Sequence, residues 1–134
     1  MENYFNIELD KETLMGVSAL GLAHVGDGVF ELLVRTWLCT QGKATAGNLH
    51  RATVRYVSAP AQALRVDRLL PLLSDEELAW YKRGRNAHVN AVPKNATHEQ
   101  YAKATGLEAL FGALYLRGRT QRINELFVGS MAEE

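Results

Sequence analysis

Two long apolar segments with helical spacing, far apart in the chain, each enclose an acidic side chain. Asp27 stands in the run 23–34, and Glu108 stands in the run 105–116. Neither acid has a lysine or arginine three or four positions away, where a neighbour on the same helix would offset its charge. Because an ionised carboxylate removed from water without a partner costs several kcal/mol, each acid must find compensation outside its own helix. Two helices that bring these carboxylates together would form a site for a hard divalent cation.

The length and composition are typical of one globular domain. The chain has 134 residues, 47% of them hydrophobic, and we expect a single domain over residues 1–134 that buries a substantial core. No run of roughly 20 apolar residues and no signal-type segment is present, so no membrane span is expected. The lone Cys39 excludes an internal disulfide and a cysteine-rich zinc site. We expect it to be a buried small hydrophobe in a reducing, cytoplasmic protein.

The apolar spacing predicts an all-α fold, since no segment shows the alternation typical of strands. The first long helix is predicted from Thr13 to Cys39 and ends at Gly42. Its apolar residues cover more than one face, which indicates a central helix packed on two sides. Its glycines disfavour a helix interior, so we expect either a break near Gly21 or the close approach of another backbone or a ligand there.

Capping signals define the remaining helices. Ser58 can cap a helix that has Pro60 in its first turn, and two Ser/Thr-x-x-Glu/Gln boxes open later helices. The longest loop-like segment is predicted over residues 87–95. The predicted helices are 45–57, 58–70, one opening at Ser74, one opening at Thr97 that carries Glu108 and ends at Gly118, and a last one over about 120–128.

The charges are segregated although the net charge is zero. Acidic residues predominate up to position 40, whereas cations predominate from Lys82 to Lys103, with only Glu99 against them. Cationic side chains beside the amides of a glycine-containing turn can bind phosphates, so this segment is the best candidate for contacting a polyanion. The candidate contacts are Lys82, Arg83, Arg85, Asn86, Lys94 and Asn95, extended by Arg51 and Arg55 on the second helix.

Each candidate also has a simpler structural interpretation. Asp27 can be the N-cap of a helix that restarts after Gly26, and Glu108 can be a boundary residue beside a polar surface. The cations can decorate a helix C-terminus, where the dipole favours them, or a solvated face. Glu31 is best explained as an exposed ion pair with Arg35. The four histidines lack metal-ligand spacing, and neither a nucleophile elbow nor a Walker-type phosphate loop is present.

The two acidic segments resemble the signature blocks of the ribonuclease III catalytic domain. The blocks are Gly26–Glu31 and Glu108–Leu114. More narrowly, the chain is similar to the Mini-III branch of that family, and the resemblance covers about 20–116. The segments that carry the narrower resemblance are Val57–Ala59, Lys82–Ala87, Pro93–Asn95 and Thr105–Leu110.

The resemblance implies an all-α, ribonuclease III-like endonuclease that acts as a homodimer and cleaves double-stranded RNA with Mg²⁺. The known task of the branch is maturation of ribosomal RNA precursors of the 23S type. The resemblance also implies that Asp27 and Glu108 are the catalytic, metal-holding residues and that the candidate polyanion contacts given above bind the RNA. Mini-III proteins lack the appended double-stranded RNA-binding domain, and we expect this chain to lack it too.

Ordinary ribonuclease III has two further acids, at the positions occupied in this chain by Ala23 and Thr105. Mini-III proteins lack them too, which leaves two protein carboxylates for the metal. Mg²⁺ tolerates this number, because it keeps several waters and takes ligands from substrate phosphates. On this hypothesis the ion activates a water that attacks the scissile phosphate in line and leaves a 3′-hydroxyl and a 5′-phosphate.

A dimer would offer one site for each RNA strand, and its two-fold interface must be self-complementary. We predict part of that interface around Val29, Leu33 and Trp37, unless this surface is monomer core. Two other classes stay open. One is a catalytically silent ribonuclease III-like scaffold that binds RNA or the ribosome, against which the retention of both acids argues. The other is a helical protein–protein adaptor whose acids pair with cations across helices.

Overall fold

The structure is a computed structural model that describes residues 2–42, 45–87, 92 and 94–131. Within these ranges the regular structure is helical and contains no strand, so the all-α prediction is confirmed. Among the described helices, none has both the length and the apolar character needed to cross a membrane. The elements are α1 (Lys11–Met15), α2 (Ala19–Gln41), α3 (Leu49–Val57), α4 (Ala59–Leu69), α5 (Asp75–Arg85), α6 (His98–Leu116) and α7 (Thr120–Ser130), with 3₁₀ turns at Ala46–Asn48 and Leu70–Leu72.

The fold is organised around α6. Every residue from Ala104 to Leu114 is buried except Glu108, because α2, α4, α5 and α7 all pack against this helix. The aromatic centre of the core joins three helices. Phe30 of α2 meets Phe111 of α6 edge to face at 5.6 Å and Phe127 of α7 at 5.9 Å. Glu108 is therefore an acid on an otherwise buried helical segment.

The crossing of α2 over α6 depends on two glycines. A methyl group at Gly26 would overlap the backbone carbonyl of Glu108, and one at Gly112 would overlap the carbonyl of Leu22. The two backbones therefore touch without side chains between them. This contact brings the residue that follows Gly26, Asp27, to the level of Glu108.

The predicted first helix is divided in the structure. The Ser18 hydroxyl accepts a hydrogen bond from the Gly21 amide at 3.0 Å and caps α2, so α1 and α2 are separate helices. The break therefore lies just before Gly21, as the first of the two predicted alternatives has it, and the close approach of another backbone occurs at Gly26. Gly42 ends α2 in the left-handed conformation, with φ of 64°, as predicted.

Both predicted capping boxes are present, Ser74 with Glu77 on α5 and Thr97 with Gln100 on α6. They fix the start of each helix by pairing backbone amides that would otherwise lack a partner. The Ser58 hydroxyl, in contrast, makes no capping hydrogen bond, although α4 starts directly after it.

The burial predicted for Cys39 is wrong, since this thiol is exposed. The buried positions at this end of α2 are Val34 and Leu38, four residues apart, and Cys39 lies about 100° around the helix from Leu38. The helix predicted from residue 45 begins instead as a 3₁₀ turn and becomes α-helical at Leu49. Most of the predicted loop 87–95 falls outside the described residues.

We predict opposite effects of the same substitution at two glycines of α2. Gly26→Ala should lower the free energy of unfolding by about 2 kcal/mol or more, because the methyl group must push α2 away from α6. Gly28→Ala should raise it by up to about 1 kcal/mol, since nothing lies within 4 Å of its added methyl and alanine favours a helix. Urea denaturation followed by far-UV circular dichroism measures both. Equal effects would contradict a backbone contact at Gly26.

Candidate active site

The structure brings Asp27 and Glu108 together where α2 crosses α6. Asp27 lies in the middle of α2 with an exposed side chain. It is therefore not the N-cap of a restarted helix, and water solvates it on one side. Glu108 is half-buried on α6, and its carboxyl group is within hydrogen-bonding and electrostatic reach of Asp27. Two acids that are distant in the sequence thus share one small site.

The electrostatics of the site favour the uptake of a positive charge. Burial raises the pKa of Glu108 to about 8, and the negative charge of Asp27 and a hydrogen bond with Asp27 act in the same direction. In that hydrogen bond the protonated Glu108 carboxyl donates to the Asp27 carboxylate. The metal-free site therefore holds a proton at neutral pH that a cation would displace.

The two acids are not neutralised by a cation of the described chain. In the described ranges, none of the ion pairs includes Asp27 or Glu108. Glu31 instead pairs with Arg35 at 2.8 Å, as predicted, so this arginine is engaged away from Asp27. The adaptor hypothesis, in which the acids pair with cations across helices, therefore lacks support in this part of the molecule.

A second polar group that reaches Glu108 is the amide of Gln62 on α4, which the sequence interpretation missed. Its Nε2 donates to Oε2 of Glu108 at 3.5 Å, the residue is 0% exposed, and its Oε1 is buried without a hydrogen-bond partner among the described residues. An amide on the buried face of a helix beside Val66 was the available signal. Leaving a buried polar atom unpaired costs about 1–3 kcal/mol, so such a residue calls for an explanation.

The positions at which ordinary ribonuclease III carries its other acids offer no metal ligand in this protein. Ala23 is buried, and the Thr105 hydroxyl donates to the carbonyl of Tyr101 in its own helix at 2.9 Å. Across the residues that the structure describes, no group of three or more acidic, histidine or cysteine side chains is placed to hold a metal. The donor set is thus two carboxylates, a set that suits a hard, largely hydrated cation.

The C-terminal turn of α5 holds part of the predicted cationic segment beside α6. Gly84 lets α5 approach so closely that an added methyl would meet Ala109, the residue after Glu108. Lys82, Arg85 and Asn86 are exposed there. Helix-terminal placement agrees with the dipole interpretation of these charges, but it does not exclude phosphate binding, because the side chains remain accessible.

Other members of the segment are partly engaged within the protein. The half-buried Arg83 donates to the backbone carbonyl of Val17 at 3.0 Å, which joins α5 to the link before α2. Lys103 pairs with Asp67 at 3.0 Å and with Glu99 at 3.5 Å, so its charge is already offset. These contacts reduce the number of cations that are available for a partner.

The remaining candidates lie on the exposed surface. Lys94 and Asn95 are exposed in a turn before α6, and Arg51 and Arg55 are exposed on α3. Among the described contacts, none joins these four to the acidic pair, so their roles stay predictions. Two neighbours in the predicted segment, His88 and Pro93, lie outside the described residues.

The sequence of the chain is similar to known proteins of one family. Residues 20–119 match the Ribonuclease III domain. The chain is 43% identical over 118 residues to the Mini-ribonuclease 3 of Thermoanaerobacter sp., which covers 88% of this chain and 83% of that protein. It is 46% identical over 107 residues to the Mini-ribonuclease 3 of Brevibacillus brevis, covering 80% of each chain. The chain belongs to the Mini-ribonuclease 3 branch of the ribonuclease III family.

A solved structure of a protein from Fusobacterium nucleatum has the same fold, with a TM-score of 0.80 and 28% identity over 88% of this chain and 94% of that one. Membership of the Mini-ribonuclease 3 branch makes the chain an endoribonuclease of the ribonuclease III type. That assignment disfavours the catalytically silent scaffold. The ribonuclease III family generally depends on a divalent metal and acts on double-stranded RNA.

We predict that Glu108→Gln stabilises the protein in a metal-chelating buffer, and increasingly so as the pH rises. Because the pKa of Glu108 is about 8 when folded against an ordinary 4.5, the folded state binds one more proton than the unfolded state between these values. Wild-type stability therefore falls as the pH rises through this window, and the neutral glutamine removes the loss. Melting temperatures at about pH 5 and pH 8 should differ between the proteins by several degrees only at the higher pH.

The matched control is Glu31→Gln, which removes an equal charge one helical turn from Asp27. Its carboxylate is ion-paired with Arg35 and does not contact Glu108, so its effect should not grow over this pH range. If wild type and Glu108→Gln lost stability in parallel between the two pH values, the conclusion that Glu108 is protonated at neutral pH would be contradicted.

Proposed function

We propose that this chain is a Mg²⁺-dependent endoribonuclease that cleaves double-stranded RNA and matures 23S-type ribosomal RNA precursors, acting in the cytoplasm as a homodimer. The observation that carries the proposal is the convergence of Asp27 and Glu108 without an ion-paired cation from the described residues. A protein that only bound RNA would gain nothing from carboxylates near phosphates, since the like charges repel.

The residues present suit a Mg²⁺ ion. Asp27 and Glu108 would hold it, because hard oxygen donors are its preferred ligands and their mutual repulsion is relieved by a positive charge. When bound, the ion would supply Lewis-acid activation of water and stabilise charge on the scissile phosphate. The chain itself contributes the position of the two carboxylates, fixed by the contact at Gly26, and the burial that strengthens their attraction for a cation.

Exposed cations on two helices would hold the RNA backbone. Lys82 and Arg85 extend from the end of α5, close to the α6 segment that carries Glu108, and Arg51 and Arg55 extend from α3. Phosphate contacts of this kind position a duplex without reading its sequence. We propose that the helical domain of residues 1–134 itself binds the RNA substrate in this way.

The proposed dimer interface uses the part of α2 that the monomer leaves exposed. Val29, Leu33 and Trp37 are half-buried and pack against the monomer core, where Trp37 meets Tyr56 edge to face at 5.3 Å. The same helix leaves Leu20 48% and Leu32 54% exposed, which adds an apolar surface that a second copy would cover. One site per protomer would then act on each strand of the duplex.

Cleavage of a long RNA duplex in Mg²⁺ tests the proposal directly. We expect the wild type to produce short fragments with 5′-phosphate ends. Asp27→Asn and Glu108→Gln should each reduce the rate by at least about a hundredfold, because each loses a charged metal ligand while keeping its shape. Denaturing gels and end-labelling measure the products, and circular dichroism checks folding.

Glu31→Gln provides the control, since it removes an acid of the same helix that pairs with Arg35 and does not contact Glu108. It should cleave at close to the wild-type rate. A wild type that cuts no duplex in Mg²⁺, or neutral variants at residues 27 and 108 that cut as fast as wild type, would refute the proposed mechanism of cleavage.

We predict that Lys82→Ala and Arg85→Ala each weaken duplex RNA binding and lower its salt dependence. Binding is measured with Glu108→Gln protein in a chelating buffer, so that no RNA is cut. Each lost phosphate contact should reduce the slope of log affinity against log salt concentration by about one. Lys103→Ala is the matched control, because Asp67 and Glu99 already offset that charge. A slope that fell equally in all three variants would mean that RNA binding depends only on the net charge of the protein and not on these two positions.

A further inference from the structure

One fully buried side chain near the acidic pair, that of Gln62, is polar. Gln62 is one of the buried residues of α4, together with Ala63, Arg65, Val66 and Leu69, and α4 packs against α6. The side chain of Gln62 is fully buried, whereas an apolar residue of similar size would fill the same place without a polar atom to satisfy. Packing alone therefore does not account for an amide at this position.

The contacts of the Gln62 amide are directed at one functional group. Its Nε2 donates to Oε2 of Glu108 at 3.5 Å, a long hydrogen bond between α4 and α6. Its Oε1 is buried and has no hydrogen-bond partner in the part of the chain that the structure describes. The amide thus offers Glu108 a donor and keeps a free acceptor in the same buried place.

The chemistry of a hydrated cation matches both halves of this amide. A donor to one oxygen of Glu108 fixes the rotation of the carboxylate, as residues behind metal ligands commonly do. A free acceptor suits the hydrogens of the waters that Mg²⁺ retains. The donor would also satisfy a purely structural carboxyl group, whereas the unpaired acceptor has no use among the described residues in that case.

We propose that Gln62 is a positioning residue that orients Glu108 for binding a divalent cation, an inference that rests on the proposed function. Gln62 acts through Glu108 and does not contact the reacting atoms. With a hydrated cation bound, its Oε1 would be an acceptor for a hydrogen bond from one of the waters of that cation. The cost of burying this amide in the metal-free protein is offset only when the site is filled.

The test compares Gln62→Met, which keeps the length of the side chain and removes both polar atoms, with wild type. Binding of Mn²⁺ alone is followed by electron paramagnetic resonance of the free ion, and melting is measured without metal. We expect the Mn²⁺ dissociation constant to rise by at least about tenfold. The metal-free melting temperature should stay equal or rise, because an unsatisfied buried oxygen has been removed.

A purely structural role would give the reverse result, with a lower melting temperature and unchanged Mn²⁺ affinity, and would overturn the inference. Gln62→Asn is the second variant, since a shorter amide keeps both polar atoms but withdraws them from Glu108. It should also weaken Mn²⁺ binding. Gln121→Met makes the same change at an exposed position of α7 and should alter neither measurement.

The outcomes also separate this inference from the proposed function. If the wild type neither binds Mn²⁺ nor cuts duplex RNA, the proposed function fails and this inference fails with it. If the wild type does both, and Gln62→Met and Gln62→Asn bind Mn²⁺ as the wild type does, only the role of Gln62 is overturned. Duplex RNA binding in a chelating buffer should be equal in all four proteins.

Discussion

The contact between the backbones of α2 and α6 is the constraint on which the site depends. It exists because Gly26 and Gly112 present no side chain at the crossing, so each helix touches a carbonyl of the other. Any larger residue would separate the helices and move Asp27 away from Glu108. The local loss of helix propensity at these glycines is the cost of bringing the two acids to one place.

The same crossing leaves Glu108 in an environment that opposes its charge. Its neighbours on α6 are buried, Asp27 repels it, and no cation of the described chain pairs with it. The fold thus maintains a group that is destabilising in its ionised form, as is common where binding or catalysis takes place. Gln62, a buried amide with one unpaired atom, adds a second feature of this kind beside the first.

Sequence reasoning identified the helical class and the capping boxes because both depend on local pattern. It identified the acidic pair because neither acid has a cation three or four positions away that could offset its charge. It gave the break near Gly21 as one of two alternatives, since apolar spacing continues across the break and the contact of the Ser18 hydroxyl is what shows that a new helix begins. The exposure of Cys39 depends on which face of α2 is covered. Gln62 was missed because its position beside Val66 in an amphipathic helix is only a weak sign that an amide is buried.

Direct backbone contact also has a consequence for redesign of cleavage preference. Side chains in ordinary helix packing can change rotamer and absorb small shifts, whereas two touching main chains transmit a displacement of one helix to the other. The geometry of the candidate active site is therefore poorly suited to change by small steps. Variation in the choice of RNA is better sought at the periphery, on α3 and at the end of α5, where exposed side chains can be exchanged without moving Asp27 or Glu108.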